Sequence, residues 1–489
     1  PMRAPSSCLN QNKRCPIPIL KIIGGLLAFL ILLVFLLVQW DKIQTRYLNF
    51  DQLPSAQANS YLLINANIIP MNRDTVLKNK MLEIREGKIF KIADQIDAED
   101  LIRIDLKGQF LIPGLNDMHV HLWDRQELGL YLANGVTGIR NVWGMPMHLD
   151  LKEDITKGKI ISPSFYTTGP KLTGRKFIGD DNLQLSSPKE ARAKVREYQK
   201  RGYDYIKTYY GLDADLFEAI IEECQKLKMD IVAHPSDKVD YSYHFQEPII
   251  SLEHVEDVVQ RALDYKLDSA KLDSVILDFK NYPSSALCPT VMAYYNIYRM
   301  IEEADILEND SLAFMNAMIR MTDSKAQFNR WQNTLQENAQ IGDQILAQHQ
   351  FQLYTLKKLK EAEVNIICGT DAGIGITLPG FSLHQELAFY QQAGFSNFEA
   401  LETATINVAK THGEMKDLGS VEVGKRANLL VVKNNPLKDL ATLGDPQMLW
   451  VEGHLLGKSE LTEFKLQAKN RSNLIATAYR YLVNILVEK

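Results

Sequence analysis

The sequence predicts an α/β fold, a (β/α)8 TIM barrel inserted into a small β-sandwich domain and preceded by one N-terminal transmembrane helix, and three observations predict it. Short apolar strands alternate with helical stretches through the middle of the chain, which is the rhythm of parallel βα units. Strand-rich flanks lie on either side of that middle, at 60–112 and 418–460. An uncharged run stands near the N-terminus, at 22–38. The 489 residues, 46% of them hydrophobic, can bury a large core, with room for about three domain-sized units.

The uncharged run reads Ile-Ile-Gly-Gly-Leu-Leu-Ala-Phe-Leu-Ile-Leu-Leu-Val-Phe-Leu-Leu-Val and spans about 26 Å as a helix. Lys21 can snorkel at one end and Trp40 can sit in the headgroup layer at the other, so a transmembrane helix is assigned to 17–40, after a tail at 1–16. Arg3, Lys13, Arg14 and Lys21 precede the run, whereas Lys42 and Arg46 after it are diluted by Asp41 and Asp51. The positive-inside rule therefore puts the N-terminus in the cytoplasm and the bulk of the chain on the outer, periplasmic or extracellular side. A cleaved signal peptide is the competing reading. The run is long for one, and no small-residue cleavage site follows in Gln39-Trp40-Asp41-Lys42, so the anchor is favoured.

Beyond a linker at 41–59, the segments 60–70, 76–95 and 101–112 read as short strands, and 418–434 and 447–457 repeat the pattern. Paired, these flanks make one β domain and leave 113–417 as an insertion. Eight strand candidates follow within and around it, at 110–120, 135–142, 162–169, 203–209, 229–235, 248–254, 286–292 and 364–370. Helices at 187–202, 213–228 and 384–394 lie between them. Eight such units imply a closed barrel. The polar, Gln-rich stretch 294–360 has helical periodicity and is a helical excursion, either a lid or an elaborated barrel helix. At 461–489, Leu474, Ala478, Leu482 and Leu486 are spaced at four, as in an amphipathic C-terminal helix.

A formal charge of -5 and a pI near 6.1 give no basic surface for gripping phosphates, so nucleic acid is excluded and a small-molecule substrate fits better. Cys8, Cys15, Cys224, Cys288 and Cys368 are scattered without a paired motif, and no structural disulfides are expected. Cys368, in the run Val364-Asn365-Ile366-Ile367-Cys368, reads as a small buried hydrophobe.

The chemistry starts at Gly114-Leu115-Asn116-Asp117-Met118-His119-Val120-His121, where alternation along a strand points both histidines to one side. A lone His-x-His is more often a pair of satisfied core histidines than a metal site. Later strands change the weighing. Lys207, His234, His254 and Asp371 each stand at the C-terminal end of an apolar strand, and in a TIM barrel those ends gather around one axis as the active-site face.

With those residues the chain resembles the amidohydrolase superfamily, and within it the imidazolonepropionase-like and Xaa-Pro dipeptidase (prolidase-like) branch, over nearly all of 60–457. The Pro-Gly-x-x-Asp-x-His-x-His opening at 113–121, Gly-Thr-Asp-Ala-Gly at 369–373 and His384-Gln385-Glu386-Leu387 carry the resemblance, together with Ala404-Thr405, Asn407-Val408-Ala409 and the run from Gly419 to Leu429. It implies that His119, His121 and Asp371 hold a more buried metal ion and that His234 and His254 hold a more exposed one. It further implies two divalent ions, zinc by ligand type, bridged by Lys207 as a carbamate formed with carbon dioxide. Physics agrees, since an ammonium cannot ligate a cation and burial near metals yields the neutral amine that carboxylation needs. Asp371 is then the general base and acid.

The implied reaction is hydrolysis of an amide, peptide or cyclic amide by metal-activated hydroxide, with a prolidase-like dipeptidase preferred. An imidazolonepropionase-like ring opener or a deaminase is the alternative, and a non-catalytic membrane-tethered binding protein on the same scaffold is the rival of another class. Tyr209 shares the inward parity of Lys207 and is a candidate substrate contact, as is His384, although packing or a helix-start role accounts for each as well. His148, His244, His349, His412 and His454 match no ligand position and are read as structural or surface residues. The branch often carries a glycine- and histidine-rich loop after the third strand, whereas Gly169-Pro170-Lys171-Leu172-Thr173-Gly174-Arg175 has no histidine.

Overall fold

A chain that threads from one sheet into another and back must have a residue at each crossing that fits both. In the computed structural model, which describes residues 19–174 and 183–488, that residue on the way in is Gly114. The strand expected at 110–120 is two strands, Phe110–Pro113 in the sheet of the flanks and Leu115–Val120 in the parallel set. A Cβ at Gly114 would lie 2.1 Å from Thr137 Oγ1, so only glycine lets the backbone pass there. The tail expected at 1–16 and the first two positions of the expected transmembrane segment lie outside the described residues, as does Arg175.

The flanks join through hydrogen bonds in one eight-stranded sheet. Tyr61–Ile68 pairs antiparallel with Leu77–Arg85, and its other edge pairs parallel with Ile102–Asp105 and then with Phe110–Pro113. Phe110–Pro113 runs antiparallel to Leu429–Val432, with Leu111 opposite Val431, and Met448–Val451 and His454–Gly457 complete that side. Tyr61, Leu63, Leu82, Leu111, Leu429 and Trp450 bury a common core.

The middle of the chain is a mixed α/β fold consistent with the expected barrel. Leu115–Val120, Val136–Asn141 and Ser164–Thr167 are parallel neighbours, and so are Tyr205–Thr208, Asp230–Ala233, Ile249–Glu253 and Ala286–Cys288. Parallel bridges join Thr168 to Tyr205, Leu287 to Ile366 and Val120 to Ala372. The segment expected as an eighth strand at 364–370 is thus tied on both sides by single bridges rather than by a regular ladder. Ile206, Ile231, Leu252 and Leu287 are fully buried beneath the helices, each contributing about 1.5–3 kcal/mol by leaving water.

Local sequence sets the helix ends. Pro188–Arg201 starts on Ser187, whose side chain accepts from Glu190 N–H, and ends on left-handed Gly202. Ala214–Leu227 starts likewise on Asp213, which accepts from Leu216 N–H. The excursion forms the helices Val291–Glu302, Lys325–Glu337 and Ile341–Glu361. It braces the loop after Asp371, because Asn296 donates to Thr377 Oγ1 at 2.9 Å and Gly375 N–H donates to Asp323 Oδ2 at 2.7 Å.

Ile19–Gln44 is one continuous helix. The candidate span Ile23–Leu48, most of which lies in this helix, reaches a mean hydropathy of 2.6 over a stretch none of which is buried, and is long and apolar enough to cross a membrane, a property that anchors and signal sequences share. The single helix expected at 461–489 is instead two, Lys458–Lys469 and Leu474–Glu488. Arg471, in the turn between them, is drawn inward by Asp124 at 2.8 Å and Glu127 at 3.2 Å, which stops the first helix.

Candidate metal centre

Every residue of Leu115–Val120 is buried, so its alternation decides between two interior faces, and His119 and His121 share one of them. Asp371 reaches the same place on a backbone with φ of +59°, a conformation costly for a residue with a side chain. The fixing bonds come from Asp117, wholly buried, which accepts from Thr370 Oγ1 at 2.7 Å and Thr370 N–H at 3.1 Å. Burial pushes the Asp117 carboxyl up to about 7, against the pull of those bonds. His121 Nε2 lies 2.7 Å from Asp371 Oδ1 and His119 Nε2 lies 3.2 Å from it. One ligand atom from each of the three lies within 4.8 Å of the others. Burial raises the Asp371 carboxyl, but the charges and hydrogen bonds of His119 and His121 outweigh it and hold the group well below the usual carboxylate range. A carboxylate faced by imidazoles is a donor set suited to a borderline divalent cation such as zinc.

The remaining three side chains adjoin this trio. The His254 ring stands 4.7 Å from that of His119 and 4.7 Å from that of His234. Its Nδ1 meets Thr290 Oγ1 at 2.7 Å, leaving Nε2 for another partner. Burial drives the His254 pKa down to about 3 and that of His234 well below its ordinary value, so both are neutral imidazoles. Lys207, on Tyr205–Thr208, is 2% exposed, and burial lowers its amine to about 8, with Glu253 opposing and Arg140 reinforcing the shift. Among the described residues, Lys207 Nζ and both ring nitrogens of His234 have no hydrogen-bond partner. His234 Nε2 comes within 3.3 Å of Asp257 Oδ2 without forming a hydrogen bond. A buried polar group left unpaired costs about 1–3 kcal/mol. Such atoms beside a carboxylate and two further histidines fit a group supplied from outside the chain, and a divalent metal ion would satisfy one ring nitrogen of His234.

Tyr209 stands at this site, its ring 4.5 Å from that of His234, with Tyr210 at 4.3 Å from the same histidine. His384 is placed elsewhere. Burial pushes it down to about 4, and its charged neighbour is Lys465.

Sequence reasoning missed the layer behind the ligands. Glu253 is wholly buried, and its Oε2 lies 2.5 Å from His119 Nδ1. Its Oε1 accepts from Arg140 Nη2 at 2.8 Å and from Ser251 Oγ at 2.6 Å, while Arg140 Nη1 meets His412 Nε2 at 2.9 Å. Burial raises the Glu253 carboxyl, but Arg140 and His119 hold it well below its ordinary range, so His119 donates from Nδ1 to an anion and keeps Nε2 for the centre. The signal was present in the sequence, since Ser251 and Glu253 alternate on one face of a buried strand and Arg140 is a charge inside another. Of the other histidines, His148 accepts from Met145 N–H at 2.9 Å, His244 accepts from Ser236 N–H at 3.0 Å, His349 packs between Tyr295 and Phe389, and His454 lies 2.5 Å from the Ala56 carbonyl.

Fold and site together define an α/β protein in which groups that could hold a metal ion come together from distant parts of the chain. The chain belongs to the amidohydrolase family, whose model matches residues 110–456. Among solved structures, it is similar to a bottromycin amidohydrolase, with TM-score 0.71 and 19% identity over 88% of this chain and 97% of that one. It is also similar to a Xaa-Pro dipeptidase with bound methionine, with TM-score 0.61 and 21% identity over 81% of this chain and 100% of that one. Both are likenesses of fold. By sequence, a dihydroorotase from Bacillus cytotoxicus (strain DSM 22905 / CIP 110041 / 391-98 / NVH 391-98) is 40% identical over 190 residues, 36% of this chain and 41% of that protein. A dihydroorotase from Carboxydothermus hydrogenoformans (strain ATCC BAA-161 / DSM 6008 / Z-2901) is 36% identical over 87 residues, 16% of this chain and 20% of that protein. The chain thus spans well under two thirds of the length of these curated relatives.

Proposed function

We propose that this protein is a membrane-anchored, metal-dependent hydrolase of carbon–nitrogen bonds in a small-molecule amide, peptide or cyclic amide, with a prolidase-like dipeptidase as the preferred subtype. The observation that carries the reading is the convergence of His119, His121 and Asp371 beside His254, His234 and a buried Lys207 whose amine has no hydrogen-bond partner among the described residues. The family and the relatives named dihydroorotase and Xaa-Pro dipeptidase support the bond class. The bridges at Thr168, Leu287 and Val120 support a closed eight-stranded barrel spanning 113–417, set into the sheet of the flanks as a β-sandwich-like domain.

His119, His121 and Asp371 would hold one zinc ion and His234 and His254 a second, with Lys207 between them as a carbamate. Bound there, the ions supply Lewis acidity toward a carbonyl oxygen and lower the pKa of water. The chain's own residues do the rest. Asp371, kept anionic by its histidines, accepts a proton at its carboxylate and returns it to the leaving nitrogen. Glu253 fixes the His119 ring and tautomer. Tyr209 and Tyr210 wall His234 off from water. The helix Ile19–Gln44 would anchor the enzyme with its N-terminal side in the cytoplasm and the barrel on the outer side.

A one-metal ring opener or deaminase has no use for Lys207, and the wholly buried amine disfavours that reading. The test is a screen of the zinc-loaded full chain against dipeptides, cyclic amides and N-acyl amino acids, beside Asp371→Asn. Hydrolysis of at least one class that Asp371→Asn abolishes is the expected result. Metal binding without turnover of any class would favour the non-catalytic binding protein.

A further inference from the structure

The helix Leu474–Glu488 is inside out. Its outward face carries Leu474, Ile475, Tyr479, Leu482, Leu486 and Val487, exposed by 37, 49, 42, 52, 73 and 53%. Its inward face carries the polar groups. Thr477 Oγ1 accepts from Asn316 at 3.1 Å, Arg480 pairs with Asp41, and Glu488 takes Arg201 Nη1 at 2.7 Å. A helix on a water-facing surface does the opposite, turning its apolar stripe to the core and its charges to solvent. The stripe Leu474, Ala478, Leu482, Leu486 is therefore real but faces away from the protein.

What covers that stripe is argued from its neighbour. The helix packs along Ile19–Gln44, where Gln44 Nε2 donates to Ser472 Oγ at 3.1 Å and Asp41, 2% exposed, is sealed by Arg480. Ile19–Gln44 is itself apolar on its outer surface, with Leu26 and Phe29 more than 60% exposed and Trp40 at 53% near its end. Both helices thus present apolar side chains outward, and they meet at the Asp41–Arg480 pair. On the inner side, the Tyr481 ring stands 6.2 Å from that of Trp123 and 6.3 Å from that of Trp143, and Trp143 stands 6.0 Å from His121.

We infer that Leu474–Glu488 is a second membrane-contacting element, an amphipathic helix seated in the lipid interface beside the anchor, which holds the metal centre at the bilayer surface through Tyr481 and the tryptophan pair. This rests on the reading of Ile19–Gln44 as an anchor and goes beyond it, since a single spanning helix on a linker leaves the catalytic body free to tumble. Thr477, Arg480 and Glu488 meet protein partners on its inner face, and its outer face is left for lipid.

The test uses the full chain with Cys8 and Cys15 replaced by serine, because Cys224, Cys288 and Cys368 are buried. Leu486→Cys, Leu482→Cys, Ile31→Cys and Leu277→Cys are each labelled with bimane and placed in phosphatidylcholine nanodiscs containing spin-labelled lipid. Leu277, 55% exposed on the helix Ser269–Asn281, is the reference for a water-facing site. The expected result is at least twofold stronger quenching at Leu486 and Leu482 than at Leu277 by lipid labelled near the headgroup, with Ile31 quenched by lipid labelled deep in the chain. Quenching at Ile31 with Leu486 and Leu482 no different from Leu277 would overturn the inference and leave the anchor standing, and so would shielding of these sites by a second copy of the chain. No quenching at Ile31 would remove the anchor and the inference together.

Discussion

The two halves of the candidate centre are held in different ways. His119, His121 and Asp371 are fixed by bonds the chain makes to itself, through Glu253 behind His119 and Asp117 beneath the Asp371 loop. Lys207 and His234 are held by packing, with buried side-chain nitrogens that have no hydrogen-bond partner among the described residues. The contrast teaches that one half is organised by the chain itself, while the other leaves side-chain nitrogens that a proposed ion and a carbamate would engage. His254 stands between, with one ring nitrogen tied to Thr290.

Asp371→Asn breaks the organised half at its centre and carries the largest effect. Steady-state assays should show a loss of at least the roughly 10²–10⁴-fold that general acid–base groups supply, with at least one metal ion still bound. Unchanged turnover would remove Asp371 from the reaction. Lys207→Ala breaks the other half, and its loss should exceed the roughly 10–100-fold that residues behind a metal ligand are worth. A short-chain carboxylate in the buffer should restore part of that loss. Full activity without the additive would rule out the carbamate.

Glu253→Gln sharpens the comparison, because it leaves all six candidate ligands in place and removes the anion behind His119. Metal affinity, read by chelator competition, should fall by about 10–100-fold; an unchanged affinity would show that packing alone orients that ring. The pH dependence distinguishes the halves more gently. Burial lowers Lys207 from 10.5 to about 8, so its neutral form predominates above about 8 and gives way to the ammonium below it. Bicarbonate-dependent reactivation of metal-stripped protein should therefore be faster at pH 8.5 than at pH 6.5, and a flat profile would argue against carboxylation of this amine. The smallest effect is expected for Thr290→Val, a loss of metal affinity below that of Glu253→Gln, because a neutral hydroxyl is replaced rather than a charge.

Much of this was legible in the sequence for physical reasons. Apolar runs ending in His234 and His254 marked strand ends, the run before Asp371 makes only single bridges, and alternation set His119 and His121 on one side. Helices were expected from 187 and from 213, and the structure caps them with Ser187 and Asp213, whose side-chain oxygens satisfy the first free N–H groups. The break at Gly114 was hidden, since apolar residues on both sides read as one strand and only the contact with Thr137 reveals the crossing. Glu253 was overlooked beside His254, although its place two residues after Ser251 made it the inward-facing partner of Arg140. The stripe on the last helix showed that a face exists, but periodicity does not say which way a face looks. That depended on Asp41, Arg201 and Asn316, far away in the sequence.

Zinc stoichiometry, measured by titrating metal-free full chain against a chromophoric chelator, bears most directly on whether the two halves form one centre. Two equivalents per chain are expected, falling to one when His234 and His254 are both replaced by alanine. A single equivalent at full activity, or a stoichiometry indifferent to that double replacement, would contradict the account.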